Sequence, residues 1–293
     1  MERIASRQNA IVKRFRELSR TSAAPAGDVL LDGAHLVEEA LACGVPIEMA
    51  AFSDRQLAGV LSPLARISTD IKKSGGRVLT VTDSVLAAMS PVQHPSGVVA
   101  IARAERADIA DVFAGRHARH ARHAAAKGPH RVPLVIVLAG IQDPGNVGAI
   151  IRSCAAFGAT GVVAIEGTAN PFGWKALRGA MGGTFRLSVA SHGSLLDTIA
   201  AARDANVPLV AAIPRGGSLL PDTDLRGPVA IIMGGEGAGV SHTAVAASQK
   251  QVTIPMAEPV ESLNVATATA LILYEAARQR GHGPGHRTRA VRA

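Results

Sequence analysis

Five polar residues stand where an otherwise small or apolar sequence turns. They are Asn146 in "LAGIQDPGNVGAIIRSCAAFGA", Arg152 six positions later, Glu236 in "IIMGGEGAGVS", and Ser262 and Asn264 in "IPMAEPVESLN". Together an amide pair, a guanidinium, a carboxylate and a hydroxyl can hold a phosphate, orient a hydroxyl group and manage a proton. Each has a plainer reading by itself: Asn146 can cap a helix, Arg152 can be its helix's exposed edge, and Glu236 can serve a turn. The combination outweighs those readings. Every one of the three loops follows an apolar strand, and open α/β sheets bind ligands at the carboxyl ends of their strands.

The glycines in these loops do not make either familiar nucleotide site. Gly140 and Gly145 have phosphate-loop spacing, but Asn146 and Val147 stand where Lys and Ser/Thr are needed. Glycines at 140, 145 and 148 miss the GxGxxG fingerprint, and "MGGEGAGVS" has Val240 at its last position.

Stepping outward, the runs "LVIVLAGI", "GVVAIEG", "PLVAAIP", "PVAIIMGG" and "QVTIPM" predict strands, alternating with the helices "VGAIIRSCAAFG", "LLDTIAAARDA", "SHTAVAASQK" and the last apolar helix. Strands this continuously apolar imply a parallel sheet covered on both faces. Before them, an amphipathic helix is expected over residues 4–20 on the spacing of Ile4, Ile11, Phe15 and Leu18. The strands "DVLLDG", "IEMAAFS", "RVLTVTD" and "GVVAIAR", with the helix "AHLVEEALACG" and another ending in "IKKSGG", build a first, smaller α/β domain. The expected organisation is residues 1–104, a basic Ala/Arg/His linker over 105–131 with room for a helical piece, a second domain over 132–280 and a basic tail over 281–293.

Charge separates along the chain. The net charge is +8, and residues 1–20 hold six Lys/Arg against two acids, residues 103–131 seven against three, and residues 278–293 five Arg and no acid. Basic ends and linker around a mildly acidic core point to a polyanionic partner. With one Trp, one Tyr and six Phe, an aromatic base-stacking platform is excluded. His117, His120 and His123 step by three without carboxylate or thiolate company, so no metal is expected. Cys43 and Cys154 lack partners at metal or redox spacing and read as core residues. There is no signal-peptide pattern and no membrane-length apolar run, so a cytoplasmic location is expected.

The three motifs, in this order and spacing, resemble those of the SpoU (TrmH-like) RNA 2′-O-ribose methyltransferases of the SPOUT superfamily, over about residues 132–280. "SRQNAIVKRFREL", "DVLLDGAHLVEEALACGV" and "HPSGVVAIA" resemble that family's ribosomal-protein-like substrate-binding domain. The resemblance implies a trefoil-knotted parallel sheet, a homodimer, and S-adenosylmethionine (AdoMet) held in the knot mostly by backbone. Gly234, Ile254 and Leu263 would cradle it, with Gly235, Met256 and Asn264 close by. Transfer to a ribose 2′-hydroxyl of RNA is implied, ribosomal RNA ahead of tRNA. Some two-domain members confer resistance to ribosome-targeting antibiotics.

Asn146, Arg152, Glu236, Ser262 and Asn264 would form the catalytic set. Family accounts make Arg152 the base, but a guanidinium keeps its proton, so Arg152 is expected to orient phosphate and ribose. The proton would go to the phosphate, or through water to Glu236. The sequence departs from the pattern at Glu258 (usually Gly), Ala266 (usually Ser) and Ala180 (commonly Ser). A non-catalytic AdoMet- and RNA-binding module would need the polar set to be lost. A dinucleotide oxidoreductase would need the missing fingerprint.

Overall fold

Strand and helix alternate into two sheets, one of five strands and one of seven. The computed structural model describes residues 2–20, 27–57, 62–116 and 132–281. The expectations for His117, His120, His123 and the basic tail therefore lie outside the described residues.

The first half runs β1 (Glu2–Ile4), α1 (Ala10–Arg20), β2 (Asp28–Asp32), α2 (Ala34–Ala42), β3 (Ile47–Ser53), α3 (Asp54–Leu57), α4 (Pro63–Lys73), β4 (Arg77–Val81), α5 (Asp83–Met89) and β5 (Val98–Arg103). Its five strands are ordered β1-β4-β3-β5-β2, with β5 antiparallel to both neighbours. The first helix starts later than its periodicity predicts. Ile4 belongs to β1, opposite Val81, and Asn9 Oδ1 accepts from the Ile11 amide at 2.8 Å to open the helix. Ile4 and Ile11 sit two helical turns apart in sequence only by coincidence, because both bury against the same core from different elements.

The second half runs α6 (Ile109–Phe113), β6 (Leu134–Ala139), α7 (Pro144–Phe157), β7 (Gly161–Ile165), α8 (Trp174–Ala180), α9 (Gly183–Arg186), β8 (Ser188–Gly193), α10 (Leu195–Asp204), β9 (Leu209–Ala212), β10 (Ser218–Leu219), β11 (Val229–Gly234), α11 (His242–Ala247), β12 (Lys250–Thr253) and α12 (Val265–Gln279). Seven strands in the order β10-β12-β9-β11-β6-β7-β8 pair in parallel throughout. Alternation along β6 shows how both faces are covered. Leu134, Ile136 and Leu138 pack with Ile150, Cys154, Leu177 and Ile272 of α7, α8 and α12, whereas Val135 and Val137 pack with Val112, Phe113, Ala202 and Ala244 of α6, α10 and α11. The helical piece in the expected linker is thus seated on the second sheet. After β12 the chain turns back past the loops that follow β9 and β11 and lays α12 against α7.

The halves meet along α8, α9 and α2. Arg186 pairs with Glu39, Trp174 packs on the core under the first sheet, and Arg106 lies 5.5 Å from the centre of the Phe172 ring. Asp32 is buried nearby and accepts from Ser90 at 2.7 Å; burial pushes its carboxyl group above the usual range. Both cysteines are buried and free, and burial raises each thiol's pKa. No described helix is long and apolar enough to cross a membrane.

The end of α12 is pinned. Arg280 donates to the carbonyls of Leu225 at 2.8 Å, Val132 at 2.9 Å, Gly227 at 2.6 Å and Pro133 at 3.2 Å, while Gln279 accepts from the Leu225 amide and donates to the Thr223 carbonyl. One guanidinium therefore ties the last helix to the entry of β6 and to the loop before β11. Arg280→Ala removes a charged donor from four carbonyls and is expected to cost about 2 kcal/mol in chemical denaturation. An unchanged midpoint would show that the tie adds nothing to stability.

Candidate active site

The two central strands, β6 and β11, end side by side, and their loops approach more closely than side chains permit. A Cβ on Gly235 would lie 2.0 Å from the Gly140 carbonyl oxygen, and one on Gly234 would lie 2.1 Å from the Gly239 backbone. Gly235 and Gly239 close the β11 loop through an antiparallel bridge. Beyond this junction, the β9 loop and the segment leading into α12 complete a cavity of about 440 Å³.

All six residues expected to hold a cofactor line this cavity: Gly234, Gly235, Ile254, Met256, Leu263 and Asn264. Glu236 and Ser262 line it as well. Ile213 and Pro214 after β9, with Ala268 and Ile272 of α12, are additional walls that sequence reasoning missed. The signal was available in "PLVAAIP", a strand ending in Pro at the same sheet edge.

Asn146 does not cap its helix. Asp143 does, accepting from the Gly145 amide at 2.8 Å with Pro144 as the first helical residue. That frees Asn146, in the first turn of α7, to reach across the loops. Its amide nitrogen donates to the Glu236 carboxylate, and its carbonyl oxygen accepts from Asn264 Nδ2 at 3.1 Å. Asn264 is itself the cap of α12, its Oδ1 accepting from the amides of Ala266 at 2.9 Å and Thr267 at 3.3 Å. Three motifs are thereby joined in one hydrogen-bonded line.

Arg152 stands apart from it. It is exposed on α7, roughly 9 Å of helical rise beyond Asn146, and does not line the cavity. No hydrogen bond or ion pair to another described residue engages it. Of the departures, Glu258 is exposed and outside the lining, and Ala266 offers only its amide. Ala180 is buried where α8 crosses Gly148, a position that would have to satisfy a buried hydroxyl if Ser stood there. Among the described residues no group of three or more His, Cys, Asp or Glu could hold a metal ion. On the outer face, Tyr274 stacks edge-on against Phe157 at 6.0 Å and stays half exposed, with Leu271 similarly open.

Residues 133–274 match the profile of the SpoU rRNA methylase family, and residues 9–100 match an MRM3-like substrate-binding domain. A tRNA/rRNA methyltransferase of Synechocystis, itself uncharacterised, is 33% identical over 94% of this chain and 93% of its own length. The chain belongs to the SpoU methylase family. A 23S rRNA (guanosine-2′-O)-methyltransferase of Bacillus subtilis, RlmP, is 27% identical over 94% of this chain and 98% of that one. The AdoMet-bound crystal structure of an rRNA methyltransferase from Sinorhizobium meliloti superposes with a TM-score of 0.79 at 28% identity, covering 94% of this chain and 97% of that one. The SpoU profile thus covers the second sheet, and the matches to whole relatives extend over both sheets.

Gly235→Ala should force β6 and β11 apart at the cavity mouth, because its Cβ would meet backbone rather than a movable side chain. A loss of about 1–3 kcal/mol is expected from thermal or chemical unfolding. Wild-type stability in that variant would mean the two loops separate freely.

Proposed function

We propose that this SpoU-family chain transfers a methyl group from AdoMet to a ribose 2′-hydroxyl of ribosomal RNA. The observation that carries the reading is the cavity at the carboxyl ends of β9, β11 and β12, walled in part by glycine backbone and bordered by the Asn264–Asn146–Glu236 line. Its volume of about 440 Å³ falls among small-molecule sites, which span roughly 300–1,000 Å³. Gly234, Gly235, Ile254, Met256 and Leu263 would hold AdoMet through backbone and apolar contacts, and the similar S. meliloti enzyme has AdoMet bound. When bound, AdoMet supplies an electrophilic sulfonium methyl.

The chain's own residues then have to bring a hydroxyl into line with it. Arg152, which no hydrogen bond or ion pair engages among the described residues, is suited to bidentate contact with the phosphate next to the target ribose. Ser262 and Asn264, at the cavity wall, would fix the ribose by hydrogen bonds. Ribosomal RNA is favoured over tRNA by the match to a substrate-binding domain and by the likeness to RlmP. Exposed Lys13, Arg16 and Arg20 on α1 offer phosphate contacts on the first domain, Arg14 being committed to Glu48 and Asp28.

Incubating the protein with methyl-labelled AdoMet and unmodified rRNA or tRNA, then mapping alkali-resistant linkages, tests the reading. One ribose methyl in rRNA is expected, and Arg152→Lys should lower turnover about tenfold or more because the planar fork is lost. Labelling confined to tRNA would overturn the substrate, and full activity of Arg152→Lys would overturn the orienting role.

The half-exposed Leu271 and Tyr274 on α12 fit a second copy of the chain, the homodimer that the resemblance implies. Tyr274→Glu should convert a dimer to a monomer in sedimentation velocity. A wild-type protein that sediments as a monomer would contradict the dimer.

A further inference from the structure

Of all the residues lining the cavity, Glu236 alone has an ionisable side chain. The methylated hydroxyl must lose a proton, and the neighbouring groups cannot take it. Asn146 and Asn264 are amides, Ser262 would need a base of its own, and Arg152 keeps its proton at any working pH. The charged groups on the surrounding elements are Asp143 and Arg152 at α7, Arg215 after β9, His242 at the head of α11, Lys250 on β12, Glu258 and Glu261 before α12, and Glu275 and Arg278 on α12; none of them lines the cavity.

The hydrogen bonds also have a direction, and it is set far from Glu236. Two backbone amides at the head of α12 occupy Asn264 Oδ1, so the nitrogen of that side chain must point the other way. It meets Asn146 Oδ1, which in turn leaves only the Asn146 nitrogen to face Glu236. A donor therefore always faces one carboxylate oxygen, which fixes the orientation of the carboxylate and leaves the second oxygen unengaged by this line.

We propose that Glu236 accepts the ribose 2′-proton directly, and that Asn264 and Asn146 are positioning residues that hold its carboxylate oriented through a relay starting at the helix backbone. The proposal rests on the methyltransferase reading above. In the step, the 2′-oxygen bonds to the methyl carbon and the sulfur–methyl bond breaks with its electron pair going to sulfur. The hydroxyl proton passes to Glu236 and from there to solvent.

Two variants and two readouts decide it: AdoMet affinity by calorimetric titration, and single-turnover methyl transfer at saturating AdoMet as a function of pH. Glu236→Gln keeps the shape and still accepts from Asn146, but it cannot take a proton. Its AdoMet affinity is expected to hold while the transfer rate falls about 10²–10⁴-fold. Asn264→Asp keeps an oxygen for the α12 amides but replaces the donor to Asn146 with an acceptor. Asn146 must then turn its nitrogen toward position 264 and its oxygen toward Glu236, an arrangement that favours a protonated carboxyl. The acid limb of the rate profile is expected to move up by about one pH unit or more.

A rate for Glu236→Gln close to that of the unsubstituted protein would overturn Glu236 as acceptor. An Asn264→Asp rate lowered equally at every pH, with the limb unmoved, would overturn the relay and leave a merely structural cap. Failure of the unsubstituted protein to bind AdoMet at all would instead remove the reading on which the proposal stands.

Discussion

The side chain of Asn264 satisfies two amides at the head of α12 and, in doing so, fixes where its own nitrogen points. That local requirement of a helix start is the constraint on which the polar geometry depends. An N-cap is worth about 0.5–2 kcal/mol to its helix. Here the same group also determines how Asn146 and Glu236 are presented, at no further cost in ordering, because the cap is already made.

For the cap to lie in the cavity, α12 has to be held at both ends. Its far end is fastened by Arg280 and Gln279 to the entrance of β6 and the loop before β11, and its buried face, Ile272 and Leu273 among others, packs in the core shared with α7. The near end meets the glycine junction of β6 and β11, where backbone stands against backbone. A cofactor gripped chiefly by main chain needs walls of this kind, since side chains between loops would hold them apart. The first sheet is attached through Trp174, Arg186 and Glu39, so a substrate bound there stands in a defined relation to the cavity.

Much of this was legible in the sequence, for physical reasons that differ from element to element. The parallel strands announce themselves as continuous apolar runs because both of their faces are buried. The cavity lining was expected from the resemblance of the motifs to the SpoU family, because Ile254, Met256 and Leu263 carry no signal of their own in composition or spacing. Other features leave no local trace. Asn146 lies 90 positions from Glu236 and 118 from Asn264, and only the tertiary return of the chain makes them neighbours. Asp143 rather than Asn146 caps α7, a choice that spacing alone leaves open because both residue types cap well. Ile4 matched a helical period yet forms a strand, since its burial satisfies the same core from another element. The short helices α8 and α9 and strand β8 lie in a Gly-rich stretch with little periodicity to read.

The central claim is that the three strand-end loops form a site for AdoMet within a single chain. Isothermal titration of the whole protein with AdoMet, and separately with NAD, tests it most directly. The account predicts saturable binding of AdoMet at one site per chain and no heat of binding with NAD. Binding of NAD without AdoMet would contradict it, and would return the glycine loops to the dinucleotide reading that their spacing argues against.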